Sequence, residues 1–328
     1  MTTPNLFTYA PNELAQDGVL AWLLACASDR HVDSPAHPAG RALVAALTGQ
    51  DRLAAGSHVW VRRQWKAIDV LAEVWSGEHR RWVIAIEDKV GSSLKRRASG
   101  RWALEEYGAR LDKAYKDAHV ARVLLKTHEE YEGVDVEALG WKRWRRADLL
   151  QVLGPHHACG SEILQHYIEH LAWIEKQTTA WQHTEIDAWH MNTWKGFFQH
   201  ASRQLEGVRG WNYVANAQGG FFGLWWAWRG PLYMQLEVRP TRGTHGLRWD
   251  VVESVLTSRV EGHSSPASIA NQLIGSQGFI RPKHVRRGKT SRVAIWSPDL
   301  WKRSRAAELV RGLLSTTEHA HKAMAGAL

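Results

Sequence analysis

Cysteine is nearly missing from this chain: Cys26 and Cys159 are the two in 328 residues. That excludes a disulfide scaffold and any cysteine-rich zinc module, and it fits a reducing compartment. Long apolar runs are missing too. The longest covers residues 18–27, about half of the ~20 residues that a membrane span needs. Glu13 and Asp17 precede it where a signal peptide would carry basic residues. The expectation is a cytoplasmic protein with no membrane partner. There is no internal repeat, no low-complexity tract and no phosphate-binding glycine loop; Gly219-Gly220 reads as a hairpin turn.

What is present describes an ordinary globular chain, 44% hydrophobic and 23% charged, long enough for two domains. The net charge of +9 is uneven. Residues 1–155 hold 22 Lys and Arg against 20 Asp and Glu, whereas residues 156–328 hold 20 against 13. A basic excess in one half suits a polyanionic partner, most often nucleic acid, and a solvated basic surface explains it equally well. The 19 tryptophans belong mainly to cores, with a few free to stack on bases.

The pattern predicts helices from Asn12 onward, with Leu14, Leu20, Leu23 and Leu24 at helical spacing, and over 41–47, with a loop over 29–40 between them. Strands follow at 58–62, 67–75 and 82–87, then a helix over 97–118 and strands at 120–125 and 141–144 running into a helix from Asp148. Mixed strands and helices in this order predict an α/β core over residues 1–155. Residues 156–328 predict an α+β domain: helices over 160–176 and 185–206, a meander at 210–215, 221–228, 232–238 and 247–252, a helix near 266–275, a strand at 293–296 and a last helix from Asp299.

Chemistry concentrates in Ile68-Asp69 and Ile86-Glu87-Asp88-Lys89. If the hairpin between these strands turns over residues 77–79, paired positions sum to 156 and Asp69 faces Glu87. Directly paired residues share a sheet face with Cβ atoms ~5 Å apart. Alternation then puts Lys89 on the same face and turns Asp88 away. A register sum of 155 or 157 takes Glu87 off the Asp69 face. Two carboxylates suit a hard cation such as Mg²⁺ or Mn²⁺, which lowers the pKa of a bound water and neutralises phosphate charge. Lys89 would orient the nucleophile and offset charge in the transition state. The plain alternative is a surface salt bridge on a half-exposed sheet.

These residues resemble the PD-(D/E)XK nuclease superfamily, the restriction-endonuclease-like fold: a hydrophobic strand carrying Asp69, a turn, and a hydrophobic strand ending in Glu87-Asp88-Lys89. The segment Asn12-Glu13-Leu14-Ala15-Gln16-Asp17, followed by Val19-Leu20-Ala21-Trp22-Leu23-Leu24, is similar to a branch of that superfamily that opens with a glutamate-bearing helix. That branch carries Gln-Leu-x-x-Tyr on the next helix; Leu104 and Tyr107 match it, and Ala103 departs from it. The resemblance covers residues 6–153. It implies a restriction-endonuclease-like core of a mixed sheet flanked by helices. It further implies metal binding by Glu13, Asp69, Glu87 and the backbone carbonyl of Asp88, with Asp69, Glu87 and Lys89 catalytic.

Three basic clusters point to nucleic acid. Lys95, Arg96 and Arg97 follow the lysine; Lys142, Arg143, Arg145 and Arg146 interleave with Trp141 and Trp144; Arg281, Lys283, Arg286, Arg287, Lys289 and Arg292 form a run near the end. His156, His157 and Cys159 lack a fourth ligand, and His166 and His170 read as surface histidines. Glu73, four residues from Asp69, lies ~13 Å away along the strand, too far for a shared cation. The expected function is metal-dependent hydrolysis of DNA phosphodiesters, in bacterial restriction or antiviral defence. The alternatives are a catalytically idle nucleic-acid-binding module, or a sensor or scaffold subunit of a defence complex; the expected partners are DNA and either a second copy or a defence-complex protein.

Overall fold

The computed structural model describes residues 4–92, 94–131, 133–217, 219–229, 232–243, 246–261, 271, 274, 279–282, 290–296 and 305–325. The chain divides into two compact units, residues 1–128 with 134–175, and residues 129–133 with 176–328.

The first unit runs α1 (Leu6–Tyr9), α2 (Glu13–Cys26), α3 (His37–Thr48), β1 (Ser57–Trp65), β2 (Ile68–Ser76), β3 (His79–Lys89), α4 (Ala103–Ala114), β4 (His119–Lys126), β5 (Lys142–Arg145), α5 (Arg146–Leu153) and most of α6 (Glu162–Thr179). Its five strands lie in the order β1-β2-β3-β4-β5. The first three pair antiparallel, and β3, β4 and β5 pair parallel. Tight turns suffice for the antiparallel pairs; the parallel step from β3 to β4 needs a crossover, which α4 supplies.

Strand alternation assigns each side chain to a helical layer. Val70, Ala72, Ile84 and Ile86 pack with Leu20, Leu23 and Leu24 of α2, Leu43 of α3 and Tyr167 of α6. Their neighbours Leu71, Val83 and Ala85 face the other way and pack with Leu104, Tyr107 and Leu111 of α4. The unit is thus a mixed α/β sheet with helices on both faces.

Several elements depart from expectation. The helix expected over 97–118 starts only at Ala103, because Arg96 bridges to Trp102 and the Glu105 carboxylate accepts the Trp102 backbone N–H at 2.6 Å, a reach-back that fixes a helix start. The loop expected over 29–40 ends sooner: α3 begins at His37 with Pro38 in its first turn, where a missing N–H is no loss. Leu14 is 64% exposed rather than core. Leu164, Tyr167, Ile168 and Leu171 of α6 join the first core, so this unit continues past residue 155.

The second unit holds α7 (Met191–Ala201), β6 (Gly210–Val214), β7 (Phe221–Arg229), β8 (Leu232–Gly243), β9 (Gly246–Glu261), β10 (Phe279–Ile280), β11 (Thr290–Trp296) and α8 (Ala306–Ala325). Its antiparallel sheet has the order β10-β11-β9-β8-β7-β6. Trp194, Phe197 and Phe198 of α7 and Leu309 and Leu313 of α8 pack on Leu224, Trp226, Met234 and Leu236. Where a helix was expected over 185–206, a 3-10 turn at Ile186–Ala188 precedes a shorter α7. The expected helix near 266–275 and the start of the last helix at Asp299 lie outside the described residues, apart from isolated positions. No helix among the described residues is long and apolar enough to cross a membrane.

Candidate functional site

The hairpin register that the candidate site depends on has the sum of 156, from Val70–Ile86 to Val74–Trp82. The turn is not the expected one. Ser76 pairs with His79 and Trp75 with Arg80 around a two-residue loop, Gly77-Glu78, with Gly77 at φ 58°. Arg81 is then an extra residue, a bulge between Trp75–Arg80 and Val74–Trp82. A bulge sets two residues against one and shifts the register by one, which restores the sum that a three-residue turn would have produced. Val70–Ile86 is the last pair of that register; Asp69 and Glu87 follow it directly on their two strands, and both side chains reach Lys89.

Three acceptors converge on one ammonium. The Lys89 Nζ lies 2.9 Å from Glu87 Oε1 and 3.4 Å from Asp69 Oδ2, and donates to the Asp88 carbonyl at 2.6 Å. The Asp88 backbone N–H donates to Asp69 Oδ2 at 2.9 Å, and the Gln64 amide donates to Asp69 Oδ1 at 3.1 Å. Burial pushes the Glu87 carboxyl up to about 7; Lys89 opposes that rise and Asp69 adds to it. Burial alone would lower the Lys89 pKa, yet Glu87, Asp69 and Glu13 together hold it above its ordinary value. Glu87 Oε2 is buried and has no hydrogen-bond partner among the described residues. Tyr107 of α4 overlooks the site: burial and then the Glu87 charge raise its pKa, and Arg97 donates to its hydroxyl at 3.0 Å.

The Asp88 side chain enters the opposite layer, where it is fully buried. Gln16 Nε2 donates to its Oδ1 at 2.6 Å, and Gln16 Oε1 accepts from Thr127 at 3.0 Å. Asp17, also buried, lies beside it and 3.7 Å from Arg63. Burial and the Asp69 charge raise Asp17 to about 6, and burial and Asp17 raise Asp88. Glu13 does not bond to Asp69 or Glu87 directly. Its Oε1 accepts from the Val90 backbone N–H at 3.2 Å and from the Ser92 hydroxyl, so α2 holds the chain just after Lys89.

Gln16, Asp17, Thr127 and Gln64 are the members that sequence reasoning missed. A signal existed for two of them: Gln16 and Asp17 occupy the buried stripe of α2 that continues through Leu20, Leu23 and Leu24, and a polar residue on an apolar stripe needs a partner.

The acceptor set suits a hard cation: a carbonyl and two carboxylates, one of which keeps a spare buried oxygen. The carboxylates come as a pair, since among the described residues no three His, Cys, Asp or Glu side chains gather closely enough to hold a metal. A divalent ion would have to draw its remaining ligands from water or substrate and displace the Lys89 ammonium.

The basic clusters divide. Lys95 and Arg96 are exposed six and seven residues after Lys89. Arg96 stacks over Trp102 at 4.2 Å, and Arg97 turns to Tyr107 and Glu106. Trp141 and Trp144 are core residues, 1% and 5% exposed, and offer no stacking platform. Beside them, Arg143 donates to the Val134 carbonyl, and Arg146 pairs with Glu175 at 2.7 Å. Arg281 donates to Asn271, and Arg292 pairs with buried Glu237, which also holds Arg239 and Arg259. Lys283, Arg286, Arg287 and Lys289 lie outside the described residues. Glu73 is engaged elsewhere, by Arg62, Arg80 and Tyr115. His157 pairs with Glu169, His166 accepts from the Leu6 N–H, and His170 stacks on Trp173.

Among known proteins, no family model, no curated protein and no solved structure matches this chain.

Proposed function

We propose that the chain is a metal-dependent nuclease of the PD-(D/E)XK type that hydrolyses DNA phosphodiesters. The observation that carries this reading is the convergence of the Asp69 and Glu87 carboxylates and the Asp88 carbonyl on the single cationic position now taken by Lys89 Nζ. Asp69, Glu87 and the Asp88 carbonyl would hold Mg²⁺ or Mn²⁺, and a bound ion would lower the pKa of a water and neutralise phosphate charge. Lys89, released from that position, would supply the charge that offsets the charge developing on the phosphate. Glu13 keeps the segment after Lys89 in place through Val90 and Ser92. Exposed Lys95 and Arg96 extend the positive surface from the site for the flanking backbone.

A second reading, a nucleic-acid-binding module of the same fold with idle chemistry, draws on the same contacts, because Lys89 already pairs with both carboxylates. One assay separates them. Plasmid, linear duplex and single-stranded DNA are incubated with Mg²⁺, Mn²⁺ or EDTA, using the wild type and Glu87→Gln. The nuclease reading expects cleavage that needs the metal and is lost in Glu87→Gln with the melting temperature retained or raised. Binding without cleavage under every metal rejects it in favour of the module, and full cleavage by Glu87→Gln rejects the site.

A further inference from the structure

Among the described residues, four that are not glycine have a left-handed backbone, and three of these lie together at the β1–β2 hairpin: Gln64 at φ 55°, Lys66 at φ 48° and Ala67 at φ 70°. Lys66-Ala67 forms the two-residue turn between paired Trp65 and Ile68. Such turns ask for positive φ at both central positions and normally use Asn and Gly. Gln64 and Asp69 lie between the paired Arg63–Val70 and Trp65–Ile68, and Gln64 leaves the extended conformation there. A side chain is unfavourable in this region, and backbone of this kind persists where surrounding contacts over-determine it.

Those contacts tie the hairpin tip to the elements that build the candidate site. On one side, Arg63 donates to the Leu14 carbonyl at 3.3 Å and lies 3.7 Å from Asp17, both on α2. On the other, Arg110 of α4 donates to the Lys66 carbonyl at 2.8 Å. Between these anchors Gln64 Nε2 donates to Asp69 Oδ1 at 3.1 Å. The other oxygen, Oδ2, takes the Asp88 N–H and faces Lys89. Without the amide, Asp69 has no described hydrogen bond on Oδ1 to stop its carboxylate turning away from Lys89.

We propose that Gln64 is a positioning residue, held by the left-handed hairpin so that its amide fixes the Asp69 carboxylate with Oδ2 toward the cationic position. This rests on Asp69 serving the metal-dependent reaction proposed above.

Glycine adopts the Gln64 backbone without penalty, so Gln64→Gly removes the amide without asking the fold for anything new. Lys66→Gly relieves the same kind of strain and leaves the amide, which makes it the control. Gln64→Asn keeps a donor in a residue that tolerates this conformation, one methylene shorter. Each variant is measured for melting temperature, for kcat and KM on duplex DNA with Mg²⁺, and for Mn²⁺ affinity by calorimetry. Gln64→Gly should keep or raise the melting temperature, lower kcat by about tenfold or more with KM for DNA unchanged, and weaken Mn²⁺ binding, in line with the roughly hundredfold that a 1 Å misplacement can cost. Gln64→Asn should recover part of the loss, and Lys66→Gly should raise the melting temperature with kcat and Mn²⁺ affinity at wild-type values. Wild-type kcat and Mn²⁺ affinity in Gln64→Gly would overturn the proposal while leaving the nuclease reading intact. A wild type that binds Mn²⁺ without cleaving DNA sinks the nuclease reading alone, and Mn²⁺ affinity then decides the role of Gln64. A wild type that does neither removes both.

Discussion

Glu87 below about pH 7 and Asp17 below about pH 6 hold protons that their unfolded counterparts release at lower pH. Glu87 stands at about 7 against an ordinary 4.5, and Asp17 at about 6 against 3.8, each raised chiefly by burial. Between each pair of values the folded protein binds more protons than the unfolded chain, so stability falls as pH rises through that interval. For Glu87 the loss runs from about pH 4.5 to 7 and is on the order of 3 kcal/mol. The metal-free wild type should therefore melt at lower temperature at pH 7.5 than at pH 5, and Glu87→Gln should show a flatter dependence over the same range. Because proton and cation compete for one carboxylate, Mn²⁺ affinity should rise with pH up to about 7 and level off above it. Equal pH slopes in wild type and variant would mean that Glu87 is not held protonated.

At the level of elements, α2 is the component that brings Glu13, Gln16 and Asp17 to β3, and its closeness to α3 depends on Gly40. A Cβ at Gly40 would meet the Leu23 carbonyl oxygen and lie 2.8 Å from the Ala27 backbone nitrogen. Backbone cannot yield as a flexible side chain does, and overpacking of this kind costs roughly 1–3 kcal/mol. Gly18, in α2, has open space where its Cβ would go, and Gly to Ala in a helix stabilises by roughly 0.5–1 kcal/mol. The same substitution should thus act in opposite directions: Gly40→Ala lowers the melting temperature, Gly18→Ala raises it. Thermal melts of the two variants test this, and a neutral Gly40→Ala would show that α2 and α3 can separate freely. The period-3.6 pattern made α2 legible, but it could not show which atoms the helix meets, since Gln16 and Asp88 are 72 residues apart in sequence.

For the whole molecule, the +9 net charge sets how the protein meets a polyanion. Some of the arginines of residues 156–328 are engaged within their own sheet, where Arg239, Arg259 and Arg292 share the single carboxylate of Glu237. Arg292→Ala should therefore act on the melting temperature more than on DNA affinity. Arg286, Arg287 and Lys289 remain expected contacts on charge alone. Each phosphate neutralised contributes close to −0.9 to the slope of log affinity against log salt, so replacing these three by alanine should weaken duplex binding across sequences and flatten the slope by up to ~3. Titrations of labelled duplex at several salt concentrations measure it. An unchanged slope would assign DNA affinity to other residues, with Lys95 and Arg96 the next to test.

The sequence alone determined the order of elements along the first unit, the face shared by Asp69, Glu87 and Lys89, and the turning away of Asp88, because these follow from local periodicity and a short hairpin; the order of strands within the sheet came from the structure. It reached the right register through the wrong turn, since a bulge at Arg81 and a two-residue loop add up to the same count as a longer loop. Only the tertiary structure decided that Trp141 and Trp144 are core, that Arg292 is matched by Glu237, and that Gln16, Asp17 and Gln64 surround the candidate site. Those outcomes depend on partners distant in sequence or on a left-handed backbone that contacts impose. Composition and spacing encode which side chains can pair; the packing of α2 and the hairpin against β2 and β3 decides which of them do.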